Sequence, residues 1–575
     1  MRSQSCGAAD FYRSPTTPAR PLTLKVPERS ASSSSSGQPF ATFKAPLFLT
    51  CVRATPGGAA IKENSLSWLS AVRPVLTQSR IVTWLLLAFL CAPMVRAQSA
   101  ADPPLGADVE ATQAAASDPP LATEPPASTP SPSTTLRGGF FKRLYGAYVQ
   151  ELQEDGTNDP EAQRRIPPSP LSSPPFPTAD WNYGGSTVIG ATNTTNYPLM
   201  RAIYAGPNGE AWKASGVQVY GWIDPGFNLS TSKHSNLPAG YDIVPNRAEL
   251  DQFVTYIERV PDTVQTSHVD WGFRAANFFG IDYHFTTAEG WLSQQLLKQH
   301  RLYGDDPVNL YGEVYFPKVA QGLNVRFGRY ISLPDIEAQL SPQNYTYSHS
   351  LLYSYDPFTQ TGVINTLKVN DRWLVNLGIS AGNDIAPWAR GAKPSLTACV
   401  SYTFNHGKDN VYPCASGTNS GKYAYNNVQF YVSTWYHKFN ESWHMATEGY
   451  YEYQRDVPSI FGSLPTVPNA NGAYCAPGQQ KCFAGVWSAV NYLQKQFSRK
   501  DYISIRNEFL DDQKGQRTGY KTWYTEHTFM WGHWLSDVVT LRPELRFERA
   551  YNMPAYDLGT KKNQFTFAVD TIIRY

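Results

Sequence analysis

The chain has 575 residues, with 49 Lys and Arg against 47 Asp and Glu; the net charge of +2 lacks the basic excess of a nucleic-acid binder. Charged residues make up only 17% and aromatic residues 14%, and Tyr and Trp together outnumber Phe. The mean hydropathy of −0.39 excludes a bundle of transmembrane helices and fits strands with one face on lipid and the other on water.

Residues 1–79 are rich in Ser, Pro and Arg, with a run from Ser32 to Ser36 and no periodicity. They read as a non-structural extension or a misassigned start, with translation beginning near Leu66 to Leu76. Residues 80–97 read as a signal peptide. Arg73 and Arg80 precede the apolar run IVTWLLLAFLC (Ile81 to Cys91), and Val95-Arg96-Ala97 follows it. A membrane-spanning helix needs about 20 apolar residues, so this run is too short. Cleavage is expected between Ala97 and Gln98; the rival reading of lipid attachment at Cys91 meets a bulky Leu90.

Residues 98–180 are rich in Pro, Ala, Ser and Thr and read as a disordered periplasmic segment, because they cannot bury enough apolar surface to offset their ordering entropy. Within them FFKRLYGAYVQELQ (Phe140 to Gln153) predicts a short helix, with Phe141, Leu144, Tyr145, Tyr148 and Leu152 at helical spacing. Residues 181–214 form a pre-barrel segment.

From 215 to 575 the pattern is alternation with period two. Leu323, Val325 and Phe327 flank Asn324 and Arg326; Ile503, Ile505 and Phe509 oppose Ser504, Arg506 and Glu508. Val539, Leu541, Leu545 and Phe547 oppose Thr540, Arg542, Glu544, Arg546 and Glu548, with Pro543 on the apolar parity. Alternation alone fits a soluble sandwich as well as a membrane barrel, and connection lengths separate the two. Short links at Asn370-Asp371, His406-Gly407, Asn440-Glu441, Arg499-Lys500 and Ser536-Asp537 interleave with long ones at 331–360, 383–394, 455–484 and 549–563. Outer-membrane barrels have short periplasmic turns and long outer loops. Strands are predicted near 216–223, 250–259, 269–285, 308–318, 322–330, 361–369, 372–382, 395–405, 408–416, 426–438, 443–454, 485–497, 501–511, 519–532, 537–548 and 564–575. The expected fold is all-β: a transmembrane, antiparallel, up-and-down β-barrel of about 16 strands, within a range of about 14 to 18. Trp291 to Leu297 then falls in an outer loop. Phe565, Phe567, Val569, Ile573 and Tyr575 alternate back from the chain end, like the C-terminal signal read by the barrel-assembly machinery.

Several stretches carry a family resemblance: SPPFPTADWNYGGS (Ser173 to Ser186), VYGWIDPGFNLSTSKHSN (Val219 to Asn236), GRYISLPDIEAQLSPQNYTYSHSLLYSYDPFTQTG (Gly328 to Gly362), YHKFNESWHMATE (Tyr436 to Glu448) and KGQRTGY (Lys514 to Tyr520). From about Pro174 to Tyr575 the chain resembles the OmpL-like β-barrel porins. The resemblance implies a bacterial outer-membrane barrel, embedded in outer-membrane lipid, and a passive pore; the chain is read as passing small hydrophilic solutes, with a homotrimer as a candidate assembly that the sequence does not decide. In general 16-stranded porins the loop after the fifth strand folds inward, which points to 331–360. That loop carries Asp335, Glu337 and Asp356, and the inward wall carries Arg326, Arg506, Glu508, Arg542, Glu544 and Arg546. An acidic loop facing a basic wall across an aqueous gap would set up a transverse field that selects ions.

Four cysteines remain after the predicted cleavage. Cys399 and Cys414 straddle the His406-Gly407 turn, and Cys475 and Cys482 share an outer loop. Both pairs are expected as disulfides, each contributing roughly 2–3 kcal/mol by loop entropy. Neither cofactor nor metal is expected, since no spacing matches a zinc site. The chain is read as a non-enzyme with no catalytic residues: it has neither HExxH nor GxSxG, and Gly417 to Lys422 (GTNSGK) falls one residue short of a phosphate-cradling loop. His437, His444 and His527 read as wall residues. The alternatives are a selective sugar or organic-acid channel, with Tyr431 and Trp435 at lumen parity to stack on sugars, a plugged structural or adhesive barrel, and a secreted soluble β protein.

Overall fold

The computed structural model describes residues 136–153, 197–333, 335–440, 442–460, 472–498, 500–536 and 538–575. The predicted signal peptide, the Ala97–Gln98 cleavage and nearly all of 98–196 apart from the helix lie outside them.

Sixteen antiparallel strands close into a barrel, each paired with its sequence neighbours and the first paired with the last. They are β1 (Val217–Ser230), β2 (Ala248–Arg259), β3 (Asp270–Gly280), β4 (Gly304–Phe316), β5 (Leu323–Ile331), β6 (Thr359–Lys368), β7 (Trp373–Asn383) and β8 (Ser395–Phe404), then β9 (Asp409–Thr418), β10 (Gln429–Asn440), β11 (Trp443–Pro458), β12 (Lys481–Gln496), β13 (Asp501–Asp512), β14 (Thr522–Trp534), β15 (Val539–Ala550) and β16 (Asn563–Arg574). Short links and long loops alternate along the chain, so each kind gathers at its own end of the barrel. Two predicted boundaries move farther than the rest. β1 runs on to Ser230, through a register shift at Asp224 and Pro225, and β3 stops at Gly280, because Tyr283–Thr286 turns into a short helix.

Alternation sets which face each side chain takes. Phe227, Phe327, Leu377, Phe529 and Leu545 are exposed on the outside, while Arg326, Arg506, Glu508, Arg542, Glu544 and Arg546 are buried inside. Outward aromatics flank this apolar band at both ends, as in other membrane barrels. Trp373, Phe439 and Trp531 lie toward the short links, and the stacked pairs Tyr453–Phe483 and Trp523–Tyr551 lie toward the long loops. Tyr431 and Trp435 belong to the outer face, each 42% exposed. Their expected place in the lumen is therefore wrong by one residue of parity: Phe430, Val432, Thr434 and Tyr436 are the inward residues of β10.

Cys399 and Cys414 stand opposite each other in the β8–β9 register and are disulfide-bonded; Cys475 and Cys482 are bonded within the β11–β12 loop. The helix Phe140–Gln153 lies where the sequence placed it, but on a different face. Phe141, Tyr145 and Leu152 are exposed, whereas Ala147 is buried. Polar bonds hold the packed side: Arg143 Nε donates to Ala202 O at 2.9 Å, Arg201 Nη2 donates to Gln150 Oε1 at 2.7 Å, and Tyr148 Oη donates to Arg574 O at 3.0 Å. The last bond ties this helix to the end of β16. Tyr575 in turn pairs its backbone with Gly221 and donates its hydroxyl to Val254 O at 2.9 Å, across the seam where the barrel closes.

Candidate functional site

Two long loops fold into the barrel. In the β5–β6 loop every described residue from Ser332 to Phe358 whose side chain is placed is buried. The β1–β2 loop contributes a buried stretch from Ser235 to Ile243. A β-bridge between Gly240 and His349 joins the two, and Tyr241 stacks on the His349 ring with centroids 3.8 Å apart.

The wall grips the tip of the β5–β6 loop through its backbone. Arg542 pairs with Asp570 on the adjacent strand, and its Nη1 donates to Ser341 O and Thr346 O, both at 3.0 Å. Arg506 pairs with Glu526 at 2.9 Å and donates to Ser348 O at 2.6 Å. Arg546 pairs with Glu548 and reaches Gly240 O and His349 O at 2.9 Å each, one carbonyl from each loop. Carboxylates take the N–H groups in the same way. Glu544 accepts from Tyr347 N at 3.0 Å and Ser348 N at 3.1 Å; Glu508 accepts from Leu351 N at 2.8 Å and from Leu352 N. A loop that crosses a lumen leaves its own backbone groups without strand partners, and buried backbone polar groups must be paired. Here charged wall residues supply the partners, and hydrogen bonds to charged groups are the stronger kind.

Side-chain contacts complete the docking. The Tyr347 hydroxyl lies 2.8 Å from both the Asp242 and the Asp251 carboxylates. Tyr347 reaches them only because Gly226 faces it: a Cβ there would lie 2.1 Å from the Tyr347 hydroxyl oxygen. Glu337 contacts His349 Nδ1 at 2.8 Å and accepts from Ser350 N at 3.1 Å and from the Tyr492 hydroxyl. Burial works to raise the Glu337 carboxyl, but the His349 contact and the Arg506 charge hold it down at about 2.

The family model for beta-barrel porin-2, OmpL-like, matches residues 216–575. The chain belongs to that family. This porin is therefore a channel-forming barrel of the bacterial outer membrane. No curated protein matches it. Among solved structures it is similar to the anion-selective porin from Comamonas acidovorans, at 8% identity and a TM-score of 0.39, covering 62% of this chain and 99% of that one. It is similar to the trimer form of OmpT, an outer membrane protein of Vibrio cholerae, at 12% identity and a TM-score of 0.38, covering 62% and 99%. It is also similar to the outer membrane channel DcaP of Acinetobacter baumannii, at 10% identity and a TM-score of 0.38, covering 62% and 97%.

The residues singled out from the sequence of this porin divide into three groups. Arg506, Arg542, Arg546, Glu508 and Glu544 gather around the loop tip, with Glu337 beside them. Arg326 stands apart, 3.5 Å from Glu313 on the neighbouring strand. Asp335 and Asp356 meet at the stems of the loop, near Glu448 of β11. The expected aqueous gap between an acidic loop and a basic wall does not separate these groups, because the arginines touch the loop backbone directly and are neutralised by wall carboxylates. Sequence reasoning missed two of those carboxylates, Glu526 and Asp570, and also Glu448 of β11, which neutralises no arginine. Each lies at lumen parity on its strand, so the period-two pattern that flagged the arginines was enough to flag them too.

Proposed function

We propose that this porin passes small hydrophilic solutes by passive diffusion, through a polar lumen narrowed at one level by the β1–β2 and β5–β6 loops. One observation carries the reading: the wall holds the inward loops in place through charged hydrogen bonds, in a barrel whose inner face is polar and whose outer face is apolar. Fixed charges and dipoles lining a narrow aqueous path are the usual means of solute preference in channels. Single-channel recording of the detergent-purified protein in a planar bilayer tests it. Stable, stepwise, ohmic openings are expected, and a folded barrel that never conducts would overturn it.

A second reading, a barrel closed by its own loops, draws on the lumen aromatics. Tyr330, Tyr345, Tyr355, Tyr412 and Tyr450 fall in one buried cluster with Leu333, Ile336 and Leu351 of the inward loop. The same recording separates the two readings. The sugar-channel alternative loses Tyr431 and Trp435 as stacking residues, since both face outward.

We further place residues 98–214 in the periplasm, after cleavage between Ala97 and Gln98. The position of the helix Phe140–Gln153 against Arg574, at the short-link end, supports this side. Phe565, Phe567, Val569 and Ile573 face outward or lie half-buried along β16, and half-buried Tyr575 follows it, which supports recognition of this strand by the assembly machinery. A homotrimer and the lack of enzymatic activity are carried as parts of this proposal.

A further inference from the structure

The stems of the β5–β6 loop hold three carboxylates that the docking of the tip does not use. Asp335 follows β5, Asp356 precedes β6 and Glu448 projects from β11. Each is buried, at 2%, 0% and 1% exposure, and one oxygen from each lies within 4.8 Å of the others. Asp335 Oδ1, both Asp356 oxygens and Glu448 Oε1 have no hydrogen-bond donor from outside the trio, and within it Asp335 and Asp356 are in hydrogen-bond contact with each other. The partners the trio does have are few: Asp335 accepts from Ser332 Oγ at 3.0 Å, and Glu448 accepts from Ile336 N at 2.8 Å. Arg517 is close by, but its guanidinium is directed to Glu452, Asn426 and the backbone oxygens of Tyr355 and Asp356. Two further buried hydroxyls near Asp356, those of Tyr353 and Tyr450, are also unpartnered.

Buried carboxylates must be paired, protonated or bound to a metal. Hard divalent cations take oxygen ligands, and Ca²⁺ holds them at about 2.3–2.6 Å, so two oxygens on one ion stand at most about 5 Å apart. The separations in this trio meet that limit. We propose that Asp335, Asp356 and Glu448 form a Ca²⁺-type divalent-cation site that ties both stems of the inward loop to the barrel wall. The ion replaces like-charge repulsion by shared coordination, so that the loop is held at its stems as well as at its tip.

The test is equilibrium dialysis of ⁴⁵Ca²⁺ against EDTA-stripped barrel refolded in detergent without lipopolysaccharide. One Ca²⁺ per chain is expected, with affinity falling at least tenfold in both Asp356→Asn and Glu448→Gln while heat-modifiable migration is retained. Wild-type protein that binds no Ca²⁺ above the detergent control overturns the site, as does unchanged binding in the two variants. Should the variants fail to fold, Tb³⁺ emission excited through tyrosine in the wild-type barrel decides. Emission displaced by Ca²⁺ is expected, and its absence overturns the proposal.

Discussion

The tip and the stems of the β5–β6 loop occupy the same lumen and are held in opposite ways. At the tip, charged wall groups exchange hydrogen bonds with the loop's backbone as well as with its side chains, and each arginine also has a carboxylate of its own. At the stems, three carboxylates face one another, and most of their oxygens have no donor from outside the trio. The tip is thus positioned by residues of β13, β15 and the strands beside them, through partners supplied entirely by the chain. The stems depend on what neutralises them. Variants at the tip should move the loop, and variants at the stems should change how it responds to ions.

The largest effect on this contrast is expected from Arg542→Met. It removes a buried pair with Asp570, leaves that carboxylate and Asp224 without their cation, and frees the carbonyls of Ser341 and Thr346. Breaking one side of a buried pair costs about 3–5 kcal/mol. Denaturant unfolding in detergent should show a loss of that order, with Asp570→Asn in the same chain recovering part of it. Conductance should rise and become noisy as the tip is released. Gly226→Val comes next. The added side chain would overlap the Tyr347 hydroxyl and the Asp251 carboxylate, so the loop must shift, at a cost of about 1–3 kcal/mol by the usual scale of overpacking. A conductance identical to wild type would show that Tyr347 does not border the path.

The barrel was legible in the sequence because its two signals are local. Period-two alternation marks strands, and the contrast between short links and long loops marks which end each connection joins. Where side chains obey parity, as in β15, the inner and outer faces could be assigned residue by residue. Parity failed at Tyr431 and Trp435 because a one-residue slip inverts a strand, and tyrosine and tryptophan suit the lipid boundary as well as a lumen. The cysteine pair across the β8–β9 turn was readable from equal spacing about His406-Gly407, which the register of Cys399 opposite Cys414 reproduces. The loop docking was not readable. It joins residues about 200 positions apart, such as Glu544 and Tyr347, and its partners are backbone groups that leave no trace in side-chain pattern.

Two carboxylates that accept paired backbone N–H groups give the smallest and sharpest comparison. Glu544 does so at the buried tip, from Tyr347 and Ser348. Asp557 does so in the β15–β16 loop, from Lys233 N at 3.1 Å and His234 N at 2.8 Å, with Lys561 Nζ at 3.1 Å. Glu544→Gln keeps the shape but halves the acceptors, and should cost about 1–3 kcal/mol, because a buried donor loses its charged partner. Asp557 should matter less, since His234 is 66% exposed and water can replace part of what is lost. Burial works to raise the Asp557 carboxyl, but the His234 and Lys233 N–H groups and Lys561 outweigh it and hold the group at about 2, below the ordinary 3.8. A depressed carboxylate contributes stability above its unfolded value and loses it as pH falls through its folded value. Unfolding free energy should therefore drop by about 1–2 kcal/mol between roughly pH 4 and 2 on this account. Asp557→Asn should flatten that part of the profile and leave the Glu544→Gln deficit untouched. A profile unchanged by Asp557→Asn would mean that the β1–β2 loop is anchored from inside the lumen alone, through Gly240 and Arg546.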